Sequence, residues 1–371
     1  MLNSSFALFK PSLGAYYLFY FALVGVYIIF MPKALSDLGY NSSEIGLIYS
    51  AGPFMRFLLP FFFKHLIKLN LRVYKISLIL MLISTILFIS TIDNFWIYFI
   101  SNLLFGASMG ISLPYVETIA LSKLSKNRYG KVRLWGSIGF MMIALWLGKI
   151  LTNPYHTIYY LISMAFFVVL FGMIVVQYDT HTQSQNNKDS EFNLSKYWAF
   201  WLSVFLMQVG FGGFYNFFTI YETEHGISLE LTSWMWSFGV ICEIIMLYFQ
   251  GPLLEKNLTS IIKISILITS LRWLLLFLYP SSIIIAFLSQ SLHAFSFALY
   301  HTASINYIYS IYTQKKLAQQ FFLGIAFGLG GSIGAILAGK FYGEYLFLIE
   351  SLITILSFFA IIIHQKRKSN V

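Results

Sequence analysis

The feature that most constrains this chain is a series of long apolar stretches that recurs from one end of the sequence to the other. A membrane-spanning helix needs about 20 mostly apolar residues, because the hydrocarbon core of a bilayer is roughly 30 Å thick. The pattern predicts an all-α integral membrane protein with twelve transmembrane helices. The predicted spans are Leu13–Met31, Glu44–Phe63, Val73–Thr91, Phe95–Leu121, Val132–Leu151, Ile158–Tyr178, Tyr197–Tyr221, Leu231–Gln250, Ser260–Leu278, Ser282–Tyr309, Ala318–Phe341 and Tyr345–Ile363.

Composition excludes an ordinary soluble domain. Hydrophobic residues make up 58% of the chain and charged residues only 10%, against about a quarter charged in soluble proteins. A soluble fold could not hide that much apolar surface, whereas lipid can cover it. The net charge of +10 would suggest nucleic acid in a soluble protein, but here the basic residues lie between apolar stretches, so we expect no nucleic-acid partner. The single cysteine, Cys242, excludes a disulfide within the chain.

The positions of the basic residues predict the orientation in the membrane. Cytoplasmic connections of membrane proteins carry an excess of Lys and Arg. If the N-terminus is cytoplasmic, nineteen of the 24 Lys and Arg residues lie on that side. Arg56 and Arg272 lie within spans, and only Lys33, Lys149 and Lys340 lie on the other side. The asymmetry predicts that both termini are cytoplasmic and that the number of spans is even.

One polar segment divides the spans six from six. Residues 179–195 form the longest polar stretch and include Gln183–Asp189. We therefore predict an N-terminal six-helix half over residues 1–178, a cytoplasmic central loop over 179–195 and a C-terminal six-helix half over 196–371.

Ionisable side chains within the spans are the best sequence indicators of function. Such groups are costly in a bilayer and normally face the bundle interior or an aqueous cavity. An isolated buried charge is unfavourable, so we expect pairing, first of all Glu243 with Arg272 and with His293 nearby. These pairs serve either substrate and proton binding or simply helix packing. Seven such residues are the candidates for functional groups: Arg56, Glu117, Arg133, Glu243, Arg272, His293 and His301.

The tenth span also carries a polar stripe, formed by His293, Ser296, Tyr300, His301 and Ser304. At 3.6 residues per turn these residues share one broad face of a helix, which indicates an aqueous path or a substrate beside it. Histidine titrates near neutral pH, so His293 and His301 are candidates for carrying a coupled proton. Glu350, in the last span, has no predicted partner.

No motif of a soluble enzyme is present in the sequence. There is no phosphate-binding loop ending in Lys-Ser or Lys-Thr, no H-E-x-x-H and no pair of C-x-x-C motifs. We therefore expect that ATP does not drive transport, that the protein is not an enzyme, and that it binds no metal or cofactor.

Several stretches, in order and at compatible spacing, carry a family resemblance. Val116-Glu117 and the stretch Gly130–Phe140 resemble the helix 4–5 region of lactose permease, a member of the major facilitator superfamily. Gly239–Glu243 resembles helix 8 of that group, Arg272-Trp273 resembles helix 9, and Gln290–Phe295 resembles helix 10. The amino-acid sequences of the ninth and tenth spans most resemble those of the phenylpropionate permease branch. The resemblance implies the major facilitator fold.

The resemblance implies that Glu117 and Arg133 bind substrate across the fourth and fifth helices and that Phe140 stacks on it. Trp135 either flanks an aromatic substrate beside Phe140 or faces lipid. Arginine forms paired hydrogen bonds with carboxylates, so Arg133 or Arg272 is expected to neutralise an acidic substrate.

The resemblance also implies a proton-coupling network of Glu243, Arg272 and His293, to which His301 is a candidate addition. One departure is important: where the permease has a proton-releasing carboxylate three residues after its histidine, this chain has Ser296. Coupling would then depend on Glu243 and His293.

Taken together, the sequence predicts a monomeric proton-coupled symporter that imports a small organic solute, such as an aromatic acid, by alternating access in the bacterial cytoplasmic membrane. Its partners would be the substrate, protons and the lipid bilayer. The alternatives are a sugar or nucleoside symporter, drug or metabolite efflux, and a transporter-like sensor that binds without transport.

Overall fold

The structure is a computed structural model that describes residues 2–65, 69–179 and 193–369, and every regular element in these ranges is helical. Eleven helices in these ranges are long and apolar enough to cross a membrane, and a twelfth long helix lies among them. We number the twelve α1 (Leu8–Asp37), α2 (Ser42–Phe63), α3 (Leu71–Thr91), α4 (Phe95–Lys123), α5 (Lys126–Ile150), α6 (Pro154–Tyr178), α7 (Ser195–Glu224), α8 (Leu229–Phe249), α9 (Leu258–Leu278), α10 (Ile283–Ile311), α11 (Leu317–Lys340) and α12 (Leu346–Arg367).

Helix α5 is the one that is not among the eleven apolar candidates. It has 25 residues, enough to cross a bilayer, but basic residues in its first turns lower its hydropathy. Most of the predicted central loop, residues 180–192, lies outside the described part of the chain. Most predicted helix ends agree with the structure to within a few residues. The largest differences are six residues each: α1 extends to Asp37 rather than Met31, and α5 begins at Lys126 rather than Val132.

Polar residues in the short connections terminate the helices and satisfy N–H groups at the helix starts. An unpaired N–H group in hydrocarbon costs several kcal/mol, so these caps matter more in a membrane than in water. In six helices the side chain of the N-cap residue accepts a hydrogen bond from an N–H group two or three residues later. The caps are Asn70, Asn94, Asn153, Ser228, Asn257 and Ser282.

The helix packing repeats with a shift of six helices. In the first six, α1 packs against α5 and α6, α2 against α4, and α3 against α4 and α6. In the last six, α7 packs against α11 and α12, α8 against α10, and α9 against α10 and α12. The two sets meet through α1 with α7, α2 with α11, and α5 with α8. Two copies of one six-helix arrangement therefore face each other, as in transporters built from parallel repeats.

Four helices of the bundle are interrupted. Helix α7 breaks at Gly210 and Phe211, and wider π-helical turns occupy Val26–Phe30 in α1, Ala294–Leu299 in α10 and Leu323–Gly330 in α11. Such interruptions occur frequently at functional sites because they redirect side chains and free backbone groups. The π-turn of α10 begins directly after His293.

The two sets are in close contact at one end, which we call the closed end. It is the end that carries the connections α1–α2, α5–α6, α7–α8 and α11–α12. There Gly46 of α2 lies against Gly339 of α11, and a Cβ atom at position 46 would come within 2.5 Å of the Ala335 carbonyl oxygen. Gly148 of α5 lies equally close to Ser233 of α8. Backbones can approach this closely only where side chains are absent.

The opposite end, which carries both chain termini, is the open end. Inside the bundle on this side, the side chains of Glu117 and Arg133 are each 32% exposed. A Cβ atom at Gly130, near the start of α5, would meet nothing within 4 Å. The interior of the bundle between the two sets is therefore accessible from the end that carries the termini, and we call this space the cavity.

The closed end predicts the behaviour of Gly46→Val. The added side chain would collide with the backbone of α11, so the two sets should separate at this end. Spin labels at the exposed positions Ser43 and Glu344, in a Cys242→Ser background, should show a shift of their distance distribution to longer distances.

The matched control is Gly130→Val, which adds the same side chain in open space and should leave the distribution unchanged. An unchanged distribution in Gly46→Val would contradict the assignment of this end as a closed interface between the two sets.

Candidate functional site

The centre of the C-terminal set is organised around Arg272 of α9, which is completely buried. Its Nη1 donates to Nδ1 of His293 at 2.9 Å, its Nη2 to Oε1 of Gln290 at 3.2 Å, and its Nε to Oγ of Ser289 at 3.3 Å. All three acceptors belong to α10, directly before the π-turn of that helix. The guanidinium therefore fixes α9 to α10 and has no free face for a ligand.

Aromatic rings enclose the same guanidinium. Its Cζ atom lies 4.2 Å from the ring centre of Phe214 and 4.5 Å from that of Trp273, distances at which a ring face attracts a cation. Phe214 also contacts Trp236 of α8, whose ring centre lies 6.4 Å from that of Phe140 on α5. These rings connect the two sets of helices on the side towards the closed end.

His293 lies between Arg272 and Glu243, which differs from the predicted direct pair of Glu243 with Arg272. Because Arg272 always donates, Nδ1 of His293 must accept, and the neutral ring then carries its hydrogen on Nε2. This tautomer is assigned from the hydrogen-bond pattern. Nε2 faces Oε2 of Glu243 at 3.9 Å, slightly beyond hydrogen-bond length. The neutral Nε2–H side of His293 therefore faces the carboxyl group of Glu243.

Glu243 is electrostatically coupled to the other set of helices through Arg133. Its side chain is 24% exposed, in contrast to the fully buried Arg272. Arg133 in turn lies 3.4 Å from Glu117, to which Tyr129 also donates at 3.3 Å. The predicted substrate-binding pair of Glu117 with Arg133 therefore exists in the structure, and Glu243 approaches it from the opposite half.

Arg133 is held in place by α1. Its Cζ atom lies 4.1 Å from the ring centre of Phe21 and 5.2 Å from that of Tyr17. Gly136, one turn later, allows this approach, since a Cβ atom there would lie 2.6 Å from the Phe21 ring. The guanidinium is thus positioned by stacking and by Glu117 together.

Trp135 does not belong to this site. It lies two residues after Arg133, hence roughly 200° around the helix, and its ring packs beside Gly14 of α1 with 48% of its surface exposed. The structure does not place Trp135 beside Arg133 and Phe140, and the alternative expectation, an outward-facing ring, fits its position. Phe140, seven residues from Arg133, lies on the same side of the helix as that arginine.

His301 and Ser296 stand apart from the network as well. The His301 ring is enclosed by Phe297, Phe322 and Phe327, and its buried Nδ1 has no hydrogen-bond partner among the described residues. The Ser296 hydroxyl donates to the carbonyl of Leu292 in its own helix. Neither residue contacts Glu243 in the described part of the chain, so the structure brings together only Glu243, His293 and Arg272 of the residues predicted to couple protons.

Glu350 of α12, for which the sequence offered no partner, lies at the break in α7. One of its oxygens accepts a hydrogen bond from the backbone N–H of Gly213, and the other is buried without a hydrogen-bond partner among the described residues. A Cβ atom at position 213 would lie 2.8 Å from that oxygen, so glycine permits the contact. Glu350 is buried and interacts electrostatically with Arg272. It therefore caps the second segment of α7 and lies within electrostatic range of Arg272.

Two tyrosines that the sequence did not single out complete the centre of the bundle. Tyr20 of α1 and Tyr215 of α7 both interact electrostatically with Arg56 of α2, the remaining arginine of the spans. Tyr20 also interacts with Arg133, and Tyr215 with Glu243. Tyrosines are common in transmembrane helices, so their types alone gave no signal.

Comparisons with known proteins agree over nearly the whole chain. A family described as "MFS_1 like family" matches residues 11–349. The "Probable 3-phenylpropionic acid transporter" of Escherichia coli (strain K12) is 24% identical over 363 residues, covering 92% of this chain and 94% of that protein. "Sucrose permease" of Escherichia coli is 24% identical over 382 residues, covering 90% and 88%. The crystal structure of the nucleoside transporter NupG aligns with a TM-score of 0.76 at 19% identity, covering 96% and 99%.

The position of Glu350 predicts a loss of stability in Glu350→Gln. The amide retains the shape but removes the charge opposite Arg272 and weakens the bond from α7, at a cost of about 1–3 kcal/mol. Thermal unfolding in detergent should show a lower transition temperature, and Glu350→Ala, which leaves the N–H group of Gly213 unpaired, should lower it further.

The exposed Glu344→Gln in the connection before α12 is the matched control and should leave the transition unchanged. An unaltered or higher transition temperature in Glu350→Gln would show that Glu350 does not compensate Arg272.

Proposed function

Because this chain belongs to the MFS_1 like family of the major facilitator superfamily, we propose that it is a proton-coupled symporter that imports a small aromatic acid by alternating access. Family membership confirms the resemblance that the motifs indicated. It also makes the chain a transporter of the major facilitator type, a multi-pass membrane protein and not an enzyme.

The proposal includes a topology of twelve transmembrane helices in a bacterial inner membrane, with both termini in the cytoplasm. Helix α5 is then the twelfth span, since its basic start would lie in the cytoplasmic interface where Lys and Arg are favoured. Residues 1–178 and 196–371 would form the two moving halves. The open end would face the cytoplasm, and the structure would represent an inward-open state.

The observation that carries the proposal is the position of Glu243. It is a carboxyl group in the interior of the bundle that is reachable from the cavity, that faces His293 at 3.9 Å and that interacts with Arg133 of the other half. Movement of one half against the other changes the distance between Glu243 and Arg133. The charge of Glu243 is therefore stabilised to a different extent in each state, which is the link that proton coupling requires.

His293 supports this role without carrying the proton itself. Because its Nδ1 accepts from Arg272, its Nε2–H remains available to donate to Glu243 when that carboxyl is ionised. When Glu243 loses its proton, a small movement would let the Nε2–H group of His293 donate a charge-assisted hydrogen bond to the carboxylate. The network substitutes for the carboxylate that Ser296 replaces.

An aromatic substrate is supported by the walls of the cavity. Phe140 and Trp236 contribute rings from both halves, with Tyr20 and Tyr215 near the centre. A relative along the whole chain is named as a transporter of 3-phenylpropionic acid, which has such a ring.

A sugar is the second candidate. The pair of Glu117 with Arg133 is partly exposed to the cavity and can bind hydroxyl groups, and another relative along the chain is named as a sucrose permease. The two substrate classes differ in which compound should cause proton uptake.

Substrate-induced proton uptake tests the proposed function. In a weakly buffered, de-energised cell suspension that expresses the protein, 3-phenylpropionate should raise the external pH, and sucrose and nucleosides should not. Glu243→Gln should abolish the change, because the carboxyl group proposed to carry the coupled proton is then lost. Glu230→Gln, an exposed carboxylate at the start of the same helix, is the control and should retain it.

Alkalinisation by sucrose instead would establish the sugar symporter. Exchange of labelled 3-phenylpropionate without any pH change would contradict proton coupling and indicate a uniporter or exchanger. Outward movement against a gradient would indicate efflux, and binding without flux would indicate a sensor.

A further inference from the structure

Among the described residues, Arg56 is the only one of the three arginines within the spans for which no ion pair or hydrogen bond is seen. Arg272 is completely buried and donates three hydrogen bonds to α10, and Arg133 is paired with Glu117. For Arg56, no carboxylate lies within ion-pair distance in the described ranges. A permanently charged guanidinium in a membrane protein interior is unfavourable without an anion or water, so the absence of a partner calls for an explanation.

The packing of α2 determines where Arg56 points. On one side of the helix, Phe57 packs against Gly328 of α11, where a Cβ atom would lie 2.9 Å from it. On another side, Gly52 meets Gly106 of α4, where a Cβ atom would lie 2.5 Å from the Gly52 Cα. Arg56 falls between these two directions, since successive residues of a helix turn by about 100°. It therefore points into the space between its own set of helices and the other.

The side of α2 that faces lipid is different. Phe54 and Phe61 are 42% and 48% exposed and lie on the outer side of the helix. Arg56 is roughly 160° away from Phe54 around the helix axis. Arg56 is nevertheless exposed, and so is Pro60, one turn further along the same inner side. Their exposure is to the cavity and not to the bilayer.

The groups near Arg56 come from both halves. Tyr20 belongs to α1 and Tyr215 to α7, and both interact electrostatically with the guanidinium. The Tyr20 hydroxyl donates to the carbonyl of Met109, so its hydrogen is already used. Tyr215 is partly exposed, and its ring stacks on Phe211 at the break of α7. A negative group held at Arg56 would therefore touch helices of both halves and lie beside aromatic rings.

We propose that Arg56 is the site that binds the carboxylate of the substrate, with the aromatic part of the substrate directed towards Tyr215 and the rings of the closed end. This rests on the proposed function and specifies its substrate class as monoanionic aromatic carboxylates. A planar guanidinium binds a carboxylate through two parallel hydrogen bonds, which fixes orientation as well as charge. We expected Arg133 or Arg272 to neutralise the substrate carboxylate. The proposal assigns this role to Arg56 instead.

The first test compares an acid with its neutral counterpart. Binding of 3-phenylpropionate and of 3-phenylpropionamide to the purified protein is measured in wild type, Arg56→Gln and Arg56→Lys. Arg56→Gln should weaken binding of the acid by about tenfold or more, since a charged hydrogen-bonded pair is lost, and should leave the amide nearly unchanged. Arg56→Lys should fall between them for the acid. Arg72→Gln, an exposed arginine at the start of α3, is the control and should change neither.

An equal loss for acid and amide, or no loss for the acid, would overturn the proposal. If wild type binds neither compound, the proposed aromatic-acid function fails, and a second measurement then decides the role of Arg56 separately. Pro60→Cys in a Cys242→Ser background places a thiol one turn from Arg56 on the cavity side.

This thiol is modified in inside-out membrane vesicles by an anionic sulfonatoethyl or a cationic trimethylammonioethyl methanethiosulfonate. The ratio of the two rates should favour the anion, and adding Arg56→Gln should lower that ratio several-fold, because the local positive potential is removed. A ratio that does not change, or a thiol that neither reagent reaches, would overturn the assignment of Arg56 as an anion site in the cavity, whatever the transported substrate.

Discussion

The burial of the Arg272 charge is the constraint on which the arrangement of the C-terminal half depends. A guanidinium with no exposure to water must have acceptors for its hydrogens and a negative charge within electrostatic range. The acceptors come from one stretch of α10, and the carboxyl group of Glu350 on α12 lies within electrostatic range. Since Glu350 is itself held by a backbone N–H group at the break of α7, four helices are fixed by one cation.

Under the proposed function, this arrangement assigns to two carboxyl groups the roles that a single carboxylate cannot fill together. A counter-charge for a buried arginine has to remain ionised, whereas a carrier of coupled protons has to change its charge in every cycle. Glu350 is buried beside the α7 break, while Glu243 is partly exposed and faces the neutral side of His293. With Arg272 already compensated, protonation of Glu243 leaves no buried cation without a partner. The same separation explains how Ser296 is tolerated in place of a carboxylate.

The sequence predicted the helices well because bilayer thickness fixes the length of an apolar stretch, and length is visible in one dimension. It also placed Glu117, Arg133, Glu243, Arg272 and His293 near one another. It could not show which of them touch, since this depends on distances between helices. Arg272 therefore contacts His293 rather than Glu243. Arg133 and Trp135 are two residues apart on one helix, so the sequence alone indicates that their side chains point in nearly opposite directions.

Other features left little trace in the sequence. The partner of Glu350 is a backbone N–H group, and backbone groups have no residue type by which to recognise them. The glycines at 210, 212 and 213 were compatible with tight packing as much as with a break in α7. Arg56 was visible as a charge in a span, but its lack of a partner required the positions of all the neighbouring acids. The free cation and the broken helix are thus properties of the assembled bundle.

The division of roles between Glu243 and Glu350 is tested most directly by infrared difference spectroscopy of the protein in membranes, with and without bound 3-phenylpropionate. A protonated carboxyl group has a C=O stretching band that a carboxylate lacks and that shifts in heavy water. The account predicts a substrate-dependent band of this kind that disappears in Glu243→Gln and persists in Glu350→Gln. A band that disappears in Glu350→Gln and persists in Glu243→Gln would contradict it, because the buried partner of Arg272 would then be the group that exchanges the proton.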